Sequence, residues 1–169
     1  EACSSSHHFA RLFTRYGHEV KLIPPQYVKP YVKTNKTDAA DAEAICEAVT
    51  RPNMRFVQIK TEEQQAVLAL HTERGILIRE RIACSNSLRA TLAEFGITIA
   101  AGQSHLTHEL PAILEDDENG LSPFVRTSIY RQSKHIRELE EQVKQVEQAL
   151  ASWYRTQEAC QRMAKIPGV

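Results

Sequence analysis

SPFVRTSIYRQSKHIRELEEQVKQVEQALASWYRTQ, residues 122–157, holds the most regular apolar repeat in this sequence. Ile129, Ile136, Val143 and Leu150 recur every seven residues, and Leu139, Val146 and Trp153 follow three after the last three of them. Apolar a and d positions at this spacing share one helix face. Gln132 alone breaks the pattern, at the first d position. Ser122 offers an N-cap and Pro123 an N1 residue, so the stretch predicts one long helix. Its seam exceeds three heptads and needs a second helix to cover it.

The sequence before this stretch supplies a second helix. Thr61-Glu-Glu-Gln64 has the form of a capping box. The residues after it hold one glycine and no proline before Gly96, and Leu70, Leu77, Cys84, Leu88 and Phe95 keep a helical stripe. Two such helices predict an antiparallel coiled-coil hairpin, pairing with a second subunit, or two helices of a bundle. Between them, Ile97 to Gly120 reads as irregular or a short helix, closing in the acidic EDDENG turn.

Residues 1–55 differ in character. Ser4 to Ser6 can start a helix through Phe9, Leu12, Phe13 and Tyr16, with Gly17 at its C′ position. Val20–Ile23 reads as a short strand stopped by Pro24 and Pro25. Ala39, Ala42, Ile45, Cys46 and Val49 recur at helical spacing before Pro52. A strand–helix–strand–helix order predicts an α/β unit with a mostly parallel, helix-covered sheet.

The composition is that of an ordinary globular protein, with 42% hydrophobic and 25% charged residues among 169. No apolar run reaches the roughly 18 residues that span a bilayer, and no secretory leader opens the chain. Cys3, Cys46, Cys84 and Cys160 form no CxxC pair and read as unpaired thiols in a reducing compartment. Cys3 with His7 and His8 lacks a second close pair, which favours packing and surface roles over a metal site. Net charge is zero, but Lys21, Lys29, Lys33 and Lys36 fall between Val20 and Thr37 with no acid among them. Such a stretch can meet phosphates, with Tyr27 and Tyr31 interleaved, or can be a solvated loop leading into the next helix.

Asp38 and Asp41 are the sharpest chemical pair. Three apart on a helix, their carboxylates share a face and can converge on a cation. Hard oxygen ligands suit Mg²⁺ and the in-line displacement of a phosphodiester. Two helix acids are far more often a solvated face, and a third carboxylate is needed to hold metal. Glu1 is the candidate, at the tip of an expected strand. Lys36, just upstream, could meet a phosphate.

These segments together resemble the insertion-sequence 110 family of transposases. The similarity is carried by EACSSSHHFAR (1–11), LIPPQYVKPYVK (22–33) and KTDAADAEAI (36–45), and continues through EEQQAVLALH, LAEFGI, LPAILEDDENGLS and the IPGV close. It covers essentially the whole chain. It implies an α/β RNase H-like (RuvC-like) partial domain followed by a long α-helical coiled-coil region. The implied division is 1–58 as part of the catalytic domain, 59–158 as the helical region and 159–169 as the start of a further transposase domain. It implies a four-acid Mg²⁺ site in which Glu1, Asp38 and Asp41 are three members. By the same resemblance the remaining aspartate would precede residue 1 and a nucleophilic serine would follow residue 169; the chain begins at Glu1 rather than Met and reads as an internal piece.

The resemblance further implies DNA strand cleavage and exchange at element ends and target. A structured guide RNA would choose the sequence by base pairing, and Lys29, Lys33 and Lys36 would meet nucleic-acid backbones. The coiled coil would join subunits into a homo-oligomer, without a membrane, in a bacterial cytoplasm and on the nucleoid when active. The piece alone would lack strand-transfer activity. Two other readings are a non-catalytic RNA-binding and dimerisation module, and a RuvC-type nuclease using metal and water.

Overall fold

The computed structural model describes residues 1–33 and 37–167. The chain divides into two compact units, Glu1–Ala66 and Val67–Val169.

In the first unit, α1 (Ser6–Arg15) follows Ser5, which takes a left-handed φ of 61°. The serine cluster does not cap it as expected: the Ser5 hydroxyl donates to the carbonyl of Ser4 at 2.6 Å. Its far end conforms to expectation. Gly17 (φ 85°) donates to Thr14 O at 3.0 Å and His18 to Phe13 O at 3.1 Å. That is a Schellman closure, for which a residue without Cβ is the natural choice.

The α/β RNase H-like fold expected for residues 1–58 is overturned. Among the described residues the only β pairing is an isolated antiparallel bridge, Leu22 to Val57. Val57 N donates to Leu22 O at 2.7 Å, and Ala2 N to Ile23 O at 2.7 Å. The extended run Val20–Ile23 is stopped at once by Pro24, and Pro25 instead starts a helical turn, α2 (Pro25–Val28). A 3₁₀ turn, Lys29–Tyr31, continues it. Four-residue apolar runs carry too little signal to separate a strand from a single bridge, and a sheet needs more neighbours than these two segments supply.

The helix expected over the DAADAEA stretch is present as α3 (Asp38–Val49), with the Thr37 hydroxyl accepting from Ala40 N at 3.2 Å. Ala44 and Ala48, both fully buried, bring α3 close to α2 and the 3₁₀ turn. The core there is Ile23, Val28, Ala44 and Ala48, with Tyr31, Ile45 and Met54 against it. Arg11 of α1 donates to Lys60 O at 2.7 Å and Arg15 to Glu62 at 3.2 Å, tying α1 to the segment before the next helix and to that helix's first residue.

That helix is α4 (Glu62–Ala93). Thr61 and Gln64 form the expected reciprocal box, at 3.0 and 3.1 Å. Gly96 (φ 77°) closes it, with Gly96 N on Ala93 O and Ile97 N on Leu92 O. Leu77 and Leu88 of the expected stripe are buried, but Leu92 takes the buried place and Phe95 stays exposed.

The second unit packs α4 with α5 (Gln103–Glu115) and α6 (Pro123–Thr156), and a short α7 (Glu158–Met163) follows. The stretch read as irregular or a short helix is thus thirteen residues of helix, which tolerates Pro111 within it. The seam of α6 is buried at Ile129, Ile136, Leu139, Val143, Val146 and Leu150. Its covering comes from the same chain. Val67 and Leu77 of α4 share a cluster with Leu139–Leu150, while Leu88, Leu92, Leu106 and Leu110 share another with Ile129 and Ile136. Arg74–Glu147 at 2.6 Å and Glu80–His135 at 3.2 Å fix the pairing as antiparallel. Where Gln132 broke the heptads, Ser133 is the buried residue, its hydroxyl satisfied by Tyr130 O at 2.8 Å. The seam shifts by one residue there because α5 shares the covering.

The EDDENG turn is organised by Arg126. Its guanidinium donates to Leu121 O at 3.1 Å, Leu114 O at 2.9 Å, Ile113 O at 3.4 Å, Asn119 Oδ1 at 2.6 Å and the carbonyl of Asp116. It satisfies carbonyls that the end of α5 leaves without helical partners.

Candidate functional site

Asp38 is the first residue of α3 and Asp41 lies one turn on. Thr37 holds the start of this helix through Ala40 N, and Asp41 N donates to Thr37 O at 2.9 Å. Carboxylates in a first helical turn are favoured by the exposed N–H groups and the dipole there, so the placement suits them without a metal. Asp38 is exposed and Asp41 half-buried. Neither carboxylate, nor that of Glu1, makes a hydrogen bond or ion pair with another described residue.

Glu1 is positioned by the Ala2–Ile23 backbone hydrogen bond, which lays the chain start beside the Leu22–Ile23 run. Glu1 and Asp41 thereby line one cleft of about 530 Å³, together with Gln26, Lys29 and Val32. Asp38 does not line it. Among the described residues no three His, Cys, Asp or Glu side chains stand close enough to hold an ion. The structure thus brings two of the three expected acids together and leaves the third at the helix tip. Mg²⁺ keeps several waters and is usually held by one or two carboxylates. Two carboxylates on one cleft, without partners among the described residues, fit that demand.

Of the expected cationic contacts, Lys29 is exposed and stands on the wall of this cleft. Lys33 is committed elsewhere, to Glu47 at 3.2 Å and Glu43 at 3.6 Å. Those bonds, led by the one to Glu47, hold its ammonium above the usual lysine range. Glu47 is in turn drawn below the carboxylate range by Arg51 and Lys33. Lys36 lies outside the described residues. The residues missed from the sequence are Arg51, Asn53 and Arg55, which with Tyr27 and Tyr31 line a separate cleft of about 310 Å³. Two arginines four apart, directly after a helix, were the available signal.

His7 has a structural part. Its Nδ1 accepts from Lys60 N at 3.2 Å and its Nε2 lies 3.1 Å from Lys60 Nζ. Partial burial, then the charges of Lys60 and Arg11, push it below the usual histidine range. Cys3, Cys46, Cys84 and Cys160 are unpaired, and among the described residues no helix is long and apolar enough to cross a membrane.

Residues 2–97 match a family described as transposase, of the DEDD type from insertion-sequence 110 elements. The match includes Asp38 and Asp41 and starts one residue after Glu1. Over all its 169 residues the chain is 46% identical to a putative transposase, y4pF/y4sB, of Sinorhizobium fredii, covering 43% of that protein. It is 43% identical to the transposase for insertion sequence element IS1328 of Yersinia enterocolitica, covering 50% of it. It is 42% identical to the transposase for element IS1111A of Coxiella burnetii, covering 46%. The chain therefore spans about half the length of the curated relatives it matches. No solved structure matches it.

Proposed function

This chain belongs to the insertion-sequence 110 family of DEDD transposases, and from that premise we propose that it supplies part of a Mg²⁺-dependent site for DNA strand cleavage and exchange. The observation that carries the proposal is the cleft shared by Glu1 and Asp41, neither carboxylate having a partner among the described residues, with Lys29 on its wall.

Glu1 and Asp41 would hold the ion, with Asp38 available from the same end of α3. The bound ion would stabilise charge on the phosphate oxygens during an in-line displacement. The chain's own residues would position the ion and the phosphate. Thr37 fixes the first turn of α3 and so the place from which Asp41 projects. Lys29 offers an ammonium to a phosphate entering the cleft. The attacking serine that the family resemblance implies would lie outside this chain.

The partners we infer are the element ends and target DNA, and a structured guide RNA whose pairing selects the sequence. A bacterial cytoplasmic protein that meets the nucleoid is consistent with those partners. Homo-oligomer formation remains part of the reading, but the heptad seam is filled by α4 and α5 of its own chain, so a partner subunit would use another surface.

The test is Asp41→Asn in the full-length transposase, with magnesium titrated from zero. The proposal expects strand exchange to be lost while DNA binding and the unfolding transition are kept. Undiminished exchange would instead favour a module that binds and assembles without catalysis. Trapping on a denaturing gel separates the nuclease alternative: a covalent protein–DNA species supports the serine route, and cleavage without one supports hydrolysis by water.

A further inference from the structure

The turn that carries Lys29 has two sides. Gln26, Val28 and Lys29 line the cleft of Glu1 and Asp41, while Tyr27, Pro30 and Tyr31 line the other cleft, closed by Arg51, Asn53 and Arg55. We propose that this second cleft receives one unpaired nucleotide of a DNA or RNA strand, its base against Tyr27 and its phosphate on Arg55. The proposal rests on the reading of the chain as part of a transposase and names a contact that this reading does not assign.

The lining carries the argument. It has two arginines, two tyrosines and an amide, and no carboxylate. Arg51 is held in place on both sides: it pairs with Glu47, and its guanidinium lies over the Tyr31 ring, 5.4 Å from the centroid. That occupies Tyr31 and gives the cleft a fixed planar cation. Tyr27 remains exposed and supplies a ring face, the sequence-tolerant platform on which unpaired bases stack. Arg55 is exposed and has no ion pair or hydrogen bond with another described residue, so its charge is available to a phosphate. Asn53 adds an amide that can both donate to and accept from a base edge.

Size selects the ligand further. A cleft of about 310 Å³ is at the small end of the roughly 300–1,000 Å³ range of ligand sites. It suits a single ring system. A paired base, stacked within a duplex, could not enter without leaving its helix. Because residues of one turn line both clefts, a strand whose phosphate approaches Glu1 and Asp41 could anchor a nearby nucleotide here.

The experiment uses the full-length transposase containing this chain. Labelled single strands of one sequence, as DNA and as RNA, and the same sequence as duplex are titrated by fluorescence anisotropy. Companion strands carrying 5-iodouracil are photocrosslinked and the adduct mapped by mass spectrometry. The expected result is a crosslink at Tyr27 and about a tenfold to hundredfold loss of single-strand affinity in Tyr27→Ala. Tyr27→Phe should retain affinity, and duplex binding should change less than about twofold. Arg55→Ala should lower the slope of log affinity against log salt by about one for the single strand.

A loss confined to the DNA arm assigns the cleft to a DNA strand, and one confined to the RNA arm to the RNA; either supports the proposal. Should Tyr27→Ala unfold the protein, the crosslink and Arg55→Ala decide. Unchanged single-strand binding in Arg55→Ala with no Tyr27 adduct overturns the proposal, as does equal loss on duplex. Those failures would leave the Asp41→Asn result untouched. Conversely, normal strand exchange in Asp41→Asn sinks the catalytic reading whatever the cleft binds.

Discussion

Replacing Arg126 by alanine removes the group that organises the whole turn between α5 and α6. The half-buried guanidinium meets five oxygens, of Ile113, Leu114, Asp116, Asn119 and Leu121. Setting aside the 3.4 Å contact to Ile113 leaves four sound hydrogen bonds. At about 0.5–1.5 kcal/mol net each, four bonds sum to roughly 2–6 kcal/mol. Water can replace some of them at a half-exposed turn, and bonds sharing one donor group do not add, so about 2–4 kcal/mol is the working figure. Urea unfolding followed by Trp153 fluorescence reads this directly, because Trp153 packs against the α4–α6 cluster. Arg126→Lys should recover less than half of the loss, since one ammonium cannot span acceptors that a planar fork reaches. Arg131, exposed on the same helix, serves as control and should cost within about 0.5 kcal/mol. If Arg126→Ala unfolds at the same urea concentration as Arg131→Ala, the clamp does not stabilise the turn and the reasoning fails.

Other consequences can be checked on the same protein. His7 is held below its ordinary range, so the unfolded chain binds more protons than the folded one below pH about 6.5. Stability should fall as pH drops through that value towards the lowered native one, and His7→Gln should flatten the dependence; an unchanged slope in that variant would contradict it. Ile129→Ala, at a fully buried position shared by α4, α5 and α6, should cost about 2–5 kcal/mol in denaturant. Thr61→Ala removes half of the reciprocal cap at α4 and should cost about 0.5–2 kcal/mol, with a cost near zero arguing that the helix start is not held there.

The helical half of the molecule was legible because its signals are long and redundant. Seven residues at heptad spacing, the Thr61–Gln64 box and Gly96 all agree, and each has its counterpart in the structure. The same repeat could not say what covers the seam, because a and d positions look alike whether the partner helix comes from the same chain or another. The answer depended on α5, whose sequence reads as irregular or a short helix and so does not announce a third covering element. The α/β expectation failed for the opposite reason. Val20–Ile23 is four residues long, and its extended character survives only as the Leu22–Val57 bridge.

At the site, Asp38 and Asp41 lie at the start of a helix, where the sequence put them, yet only Asp41 reaches the cleft of Glu1. That sorting follows from the entry of α3 and from the Ala2–Ile23 hydrogen bond, which no residue pattern announces. Lys33 illustrates the same limit. It is one cation in an acid-free run, but folding turns it onto Glu43 and Glu47 of the helix that follows that run.

The central claim, that Asp41 and Glu1 form part of a magnesium-dependent transposition site, is tested most directly by strand exchange in full-length Asp41→Asn protein at saturating magnesium. Loss of an outer partner to a metal ligand costs about 10–100-fold, so loss of a ligand should lower exchange by more than about 100-fold with DNA binding intact. Exchange at the wild-type rate in a folded Asp41→Asn protein would contradict the account.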